Sequence, residues 1–189
     1  MSGGTLIAIA MLLPVVGGFI VLMLGKHPNA RETVTLLTGG LTFWHVYQLL
    51  PMVQAGERPR LDLFEVVPGV QIAFEVEPLG MLFALVAAFL WPITSLYAIG
   101  YMRGHHEENQ SRFFFFFAVA IAGALGVAFS ANLFTLFAFY EVLTLCTFPL
   151  VTHHQTEEAK KAGRIYLGIL LTTSVGFQLL ANIWTWQLA

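Results

Sequence analysis

The sequence predicts an all-α integral membrane protein of six transmembrane helices, with a short extramembrane hairpin between the second and the third. Three observations carry that prediction. Of the 189 residues 57% are hydrophobic and only 11% charged, against roughly 25% charged in an average soluble chain. Six stretches of mostly apolar residues reach the ~20 residues that a helix needs to cross a bilayer core. Every Lys and Arg, and all but one of the 11 acids, falls in a polar loop or at a helix end. So little charge cannot cover a water-facing surface, which excludes a soluble enzyme and a disordered chain. The net charge of −2 and a pI near 6.3 leave no basic surface for nucleic acid. The single cysteine, Cys146, excludes an internal disulfide and an all-cysteine metal cage.

The chain is read as one membrane domain, residues 1–189. The first span covers about 4–24, is uncharged, and ends at Gly25-Lys26-His27-Pro28. It lacks the basic start and compact apolar core of a signal peptide and is expected to be a retained helix. The second span covers about 33–53. The polar segment 54–78 follows, in which Pro68-Gly69 lies between β-branched, partly alternating runs, the mark of a hairpin. The third span, about 79–101, contains Pro92, and the fourth, about 113–129, opens with five consecutive phenylalanines. Ser130-Ala131-Asn132 is so short a turn that the fourth and fifth spans (about 133–151) form an antiparallel pair. A sixth span covers about 162–184. Thr156 can cap its helix, with Glu157 and Glu158 at the positive dipole end and Glu157 within reach of Lys161.

Orientation follows from the basic residues in the loops. Lys26, Arg31, Arg103, Arg112, Lys160, Lys161 and Arg164 share one side, and Arg58 and Arg60 the other. The larger group is expected in the cytoplasm, which places both termini and the hairpin outside the cell membrane.

The one acid inside a span is Glu141, midway along the fifth. An ionisable group at bilayer depth costs several kcal/mol on most scales and by default marks a function. Desolvation favours a neutral carboxyl and a neighbouring cation favours the ionised one, so a membrane glutamate whose partner comes and goes can load and release a proton. The alternative is a protonated glutamate that hydrogen-bonds a neighbouring helix, with Thr144 and Tyr140 close by. His45, inside the second span, is cheap to bury when neutral and reads first as a hydrogen-bonded packing residue. His153 and His154 lie where the fifth span meets the cytoplasm and are candidate proton collectors at a channel mouth. His105-His106 carry a weaker version of that signal beside Glu107-Glu108. No spacing argues for a metal site. Pro92 and Pro149 can kink their helices, and Cys146 reads as a small buried hydrophobe. The sequence has no Walker loop, no Rossmann glycine pattern, no cysteine cluster and no haem pair. No cofactor is expected, and energy from ATP or a redox centre would come from a partner protein.

The run Asn132-Leu133-Phe134-Thr135-Leu136-Phe137-Ala138-Phe139-Tyr140-Glu141-Val142-Leu143-Thr144-Leu145-Cys146-Thr147-Phe148-Pro149 resembles the fifth helix of the antiporter-like, proton-translocating subunits. These subunits are shared by Mrp-type cation/proton antiporters, respiratory complex I and membrane-bound hydrogenases. The following segment 152–167, the entry Val76-Glu77-Pro78-Leu79-Gly80 and the exit Tyr97-Ala98-Ile99-Gly100-Tyr101-Met102 are similar to the same family. The nearest flavour is the D-type member of the Mrp antiporters, and the resemblance covers essentially the whole chain. It implies that Glu141 works with a lysine two helices later and that changes in this ion pair control proton movement. It also implies about fourteen helices in two inverted repeats, of which this sequence matches the first six. The partner lysine and the second half-channel are then expected on another polypeptide that completes a split subunit, or on the rest of a longer chain. The partners implied are other membrane subunits of a multisubunit complex, the lipid bilayer, protons, and Na⁺ or K⁺.

Three readings follow. In the first, the chain is the N-terminal half of a multisubunit monovalent cation/proton antiporter subunit and contributes Glu141 to a proton path that also draws on Thr144, His45, His153 and His154. In the second, the same fold pumps protons in a complex I-like or hydrogenase redox complex. In the third, it is a transport-inactive scaffold in which Glu141 only packs.

Overall fold

The computed structural model describes residues 1–188. In chain order it contains α1 (Gly3–Met23), α2 (Pro28–Tyr47), α3 (Leu50–Gln54), β1 (Arg60–Val67), β2 (Val70–Glu75), α4 (Pro78–Gly104), α5 (Gln110–Ala128), α6 (Leu133–Val151), α7 (Glu157–Thr173), a π-helical segment (Ser174–Leu179) and α8 (Leu180–Leu188). Among the described residues, five helical segments are long and apolar enough to cross a membrane: α1, α4, α5, α6 and the continuous run Glu157–Leu188. The chain is a multi-pass membrane protein.

The second expected span departs from the sequence reading in two ways. Its helix α2 starts earlier, at Pro28, and is not among the five, because Arg31, Glu32 and a series of threonines lower its hydropathy. It also stops at Tyr47 instead of running to residue 53. Pro51 supplies the reason: it has no N–H to give the Tyr47 carbonyl, so the helix breaks and resumes as the short α3. Helix α2 packs between α1 and α4, with Thr35, Thr38 and Thr42 buried. The Thr35 hydroxyl is satisfied by the Arg31 carbonyl at 3.0 Å.

Small residues set how closely the helices approach, as is usual where lipid removes a hydrophobic driving force between helices. Gly17 of α1 lies against Thr38 of α2, and Gly18 against Phe115 and Ala118 of α5. Gly126 of α5 lies beneath the Phe139 ring of α6. The α5–α6 pair is antiparallel, and α6 starts where Asn132 accepts a hydrogen bond from the Thr135 N–H at 2.8 Å.

The hairpin forms as the Pro68-Gly69 signal predicts, antiparallel, with Gly69 at φ +84° and its N–H bonded to Glu65. It does not stand free of the bundle. Ala73, Phe74 and Val76 are buried, and Phe74 and Val76 join the main core with Leu6, Met81, Leu125 and Phe129. The Ala73 N–H donates to Thr135 Oγ1 at 3.1 Å, and Asn132 Nδ2 donates to the Gln71 carbonyl at 2.9 Å. Glu75 N–H donates to the Phe129 carbonyl at 2.7 Å. Strand β2 is thereby fastened over the turn that joins α5 to α6.

Helix α7 begins at Thr156, whose hydroxyl accepts from the Ala159 N–H at 3.1 Å, as expected of a cap. The ion pair differs from expectation. Glu157 meets Lys160 at 2.8 Å, one residue short of Lys161, because an i,i+3 neighbour lies on the same face as readily as an i,i+4 one.

Candidate functional site

Glu141 lies in the middle of α6, and its Oε1 is buried without a hydrogen-bond partner among the described residues. At about 100° per residue, Glu141 shares one face of α6 with Thr144, Phe148 and Thr152. Phe148 and Thr152 pack on Gly163 of α7. At the other end of the pair, Asn182 Nδ2 of α8 donates to the Leu133 carbonyl at 3.1 Å. Glu141 is therefore on the side of α6 that faces the antiparallel α7–α8 segment, at a level between these two contacts.

The same stretch of the facing helix is the π-helical segment Ser174–Leu179, which packs on α6. A π turn widens the helix and loosens its i→i−4 ladder, and such turns recur at functional sites. Ser174 at its start is buried, with its hydroxyl bonded back to the Leu170 carbonyl at 3.0 Å. Thr144, one turn from Glu141, is buried, and its carbonyl accepts from the Thr147 hydroxyl at 2.9 Å. Thr147 in turn reaches the Tyr166 hydroxyl of α7 at 3.3 Å.

His45 is elsewhere. It sits on α2, where Nδ1 bonds the Leu41 carbonyl of the same helix at 2.8 Å. Helix α2 packs chiefly on α1 and α4, so the fold does not bring His45 beside Glu141.

His153 and His154 follow the last turn of α6 and meet the α4–α5 loop. Glu107 Oε2 lies 4.0 Å from His153 Nε2 and 3.7 Å from His154 Nδ1. The His153 side chain is only 11% exposed, whereas His154 is 69% exposed. Neither ring nitrogen of His153 has a hydrogen-bond partner among the described residues, and its ring stands edge-on to Phe113 at 5.7 Å. Arg112 clamps the loop by donating to the His153 carbonyl at 2.7 Å. Burial holds the His153 imidazole below its ordinary pKa, and the Arg112 charge adds to this against an opposing pull from Glu107. His105, His106, Glu107, Glu108, His153 and His154 together line one cavity of about 410 Å³. The sequence shows two separate histidine pairs, 48 residues apart in chain position; their convergence depends on the α5–α6 hairpin returning the chain to the same end of the bundle. Among the described residues no group of three or more His, Cys, Asp or Glu side chains is placed to hold a metal ion.

Known proteins share this architecture. Residues 68–114 match the family described as NADH-ubiquinone oxidoreductase (complex I), chain 5 N-terminus. The putative antiporter subunit mnhD2 of Staphylococcus aureus (strain MRSA252) is 28% identical over 162 residues, 86% of this chain and 32% of that protein. Its counterpart in strain Newman gives the same identity and coverage. The chain thus spans about a third of the length of these curated relatives. The fold is similar to one in the membrane-bound sulfane sulfur reductase, an archaeal respiratory membrane complex. That match has a TM-score of 0.76 and 20% identity, and covers 93% of this chain and 27% of the other.

Proposed function

We propose that this chain, which has the sequence and fold of the N-terminal part of an antiporter-like membrane subunit, contributes Glu141 to a proton path in a multisubunit monovalent cation/proton antiporter of the cell membrane. The observation that carries this reading is the carboxyl oxygen of Glu141. It belongs to the one acid within a span, it is buried without a partner among the described residues, and it lies on the helix face turned toward a π-helical segment. A carboxyl so placed can exchange a proton when water or a cation reaches it, because both favour its ionised form.

The route to it starts at the histidine cavity. In this reading His153 and His154 pass protons between the loop and α6, a role supported by Glu107 as their acidic neighbour. Glu141 and His153 are 12 residues apart, about 18 Å along a helix. Water must bridge that distance, with the Thr144 level as an intermediate stop. The helix Glu157–Leu188 leaves Ile165, Ile169, Phe177, Leu180 and Ile183 exposed. Further membrane helices of the complex would pack there and supply the lysine and the exchanged Na⁺ or K⁺ path that the sequence resemblance implies. The basic rim, with Arg103, Arg112 and Lys160, would face the cytoplasm and the termini the outside.

Replacing Glu141 with Gln in the assembled complex tests the reading. Coupled cation/proton exchange is expected to fall at least tenfold while the subunits still co-purify. Undiminished exchange would leave Glu141 as a packing residue in a scaffold. The similarity to a respiratory complex favours one second reading, a proton pump powered by a redox partner. Co-purification with iron–sulfur proteins, and proton movement that needs their electron donor, would establish that alternative.

A further inference from the structure

We propose that the basic end of the bundle carries a binding site for the phosphate of an anionic membrane phospholipid. A cavity of about 720 Å³ opens there between the end of α1, the start of α2, the end of α4 and the start of α5. Its chemistry is set by Asn29, Arg31, Arg103, Gln110, Ser111 and Arg112. Three guanidinium groups from three helices face one glutamate, Glu107, whose Oε2 points to the histidine pair. Glu32 is shared by Arg103, at 2.6 and 2.8 Å, and Arg31, at 3.3 Å, and so balances only one of the three positive charges.

Two helix N-termini converge on the same cavity. Helix α2, 20 residues long, starts after His27, and α5, 19 residues long, starts after Asn109. Neither of these residues caps its helix with a side-chain hydrogen bond, and although Pro28 gives α2 no first N–H, the positive end of each helix dipole lies at the cavity.

Two of the arginines are held firmly within the bundle, each with its Nε–H unpaired among the described residues. The Arg31 side chain is only 5% exposed, and its Nε is buried without a partner among the described residues. Its other nitrogens are held by Gln110 at 2.6 Å, Ser111 at 3.4 Å and Glu32 at 3.3 Å, and its guanidinium lies over the Phe114 ring at 5.6 Å. The Nε of Arg112 is also buried and unpartnered among those residues. Guanidinium groups held in place in this way match the geometry of phosphate oxygens.

The position selects a lipid over a free ion. The cavity lies level with the last residues of α1 and α4 and the first of α5, which is the headgroup level of a bilayer spanned by those helices. The stacked ladder Tyr97–Tyr101–His105 runs to the same end of α4, as aromatic side chains do at an interface. Beside the cavity, Met23 is 85% exposed and Leu22 41% exposed, an apolar flank for acyl chains. Basic pockets between membrane helices at this depth hold anionic headgroups.

The test uses the purified full chain, delipidated in mild detergent and titrated in native mass spectrometry with dioleoyl-phosphatidylglycerol, dioleoyl-phosphatidylcholine or inorganic phosphate. Phosphatidylglycerol is expected to bind at least tenfold tighter than phosphatidylcholine. Arg112→Gln removes that preference. Ser111→Leu, which fills the cavity mouth without changing charge, does the same while the circular dichroism spectrum is retained. Equal binding of the two lipids, or a preference unchanged in both variants, overturns the proposal. Displacement of phosphatidylglycerol by millimolar inorganic phosphate would show a free-anion site and overturn the lipid assignment.

Discussion

Gly126 of α5 lies directly beneath the ring of Phe139 of α6, with no room between them for even a methyl group. This contact sets the spacing of the two helices, and Phe139 is two residues from Glu141 on the same helix, turned to the opposite side. The carboxyl is thus aimed away from α5 by the residue that locks α6 onto it. Gly126→Val should force the helices apart or the ring out of its rotamer, at a cost of about 1–3 kcal/mol. Thermal unfolding in detergent should show the lower midpoint, and adding Phe139→Ala should recover part of it. A midpoint unchanged by Gly126→Val alone would mean that the contact relaxes freely.

One side chain fastens the hairpin to α6 in two roles. Thr135 Oγ1 accepts from the Ala73 N–H at 3.1 Å and donates to the Gln71 carbonyl at 3.3 Å. Thr135→Val keeps the shape but leaves that buried N–H without its acceptor, at about 1–3 kcal/mol. Hydrogen exchange of the Ala73 amide should accelerate roughly tenfold or more, while amides in the middle of α5 keep their rates. Uniform acceleration across the bundle would mean that the hairpin and the bundle open as one unit.

His153 gives the loops a pH response of known sign. Its folded pKa lies below the ordinary 6.5 because burial and Arg112 oppose the charged ring, and Glu107 only partly compensates. The unfolded imidazole therefore takes up a proton first as pH falls. The stability held by the neutral ring is complete above about 6.5 and is lost as pH drops from there toward the lowered value. Between about pH 7.5 and about pH 5, the wild-type melting point should fall further than that of His153→Gln. Identical pH dependence in the two proteins would show that other groups set it.

The π-helical segment Ser174–Leu179 carries one residue more than an α-helix needs over that stretch. Deleting Gly176, whose surroundings are open, should convert it to regular α-helix and keep α8 in register, with Asn182 still bonded to Leu133. We expect a chain at least as stable as the wild type whose complex exchanges cations and protons several-fold more slowly. Unaltered exchange would make the π turn a mere accommodation of packing.

Much of this protein is local and can be read along the chain. The bounds of α6 at 133 and 151 were legible because Asn132 caps its start and polar residues follow its end. The turn at Gly69 and the cap at Thr156 were legible for the same reason: one residue type satisfies one backbone requirement. Glu141 stood out because a charge within 20 apolar residues needs no alignment to be noticed. The break after Tyr47 was also written there, in Pro51, but a continuous apolar run concealed it.

What the chain does not write locally is which distant residues meet. Hydrophobic length and the placement of charge are properties of neighbours in sequence, and they suffice to specify a helical membrane protein with one acid in the middle of an apolar run. The two histidine pairs around Glu107, the Arg31–Gln110–Ser111 cluster, the stapled β2 strand and the π turn opposite Glu141 all join residues from different helices. Those meetings depend on how closely α1, α2, α5 and α6 approach, and on which face each turns inward. Glycines at 17, 18 and 126 control that approach only through partners on other helices, a pairing decided by packing in three dimensions.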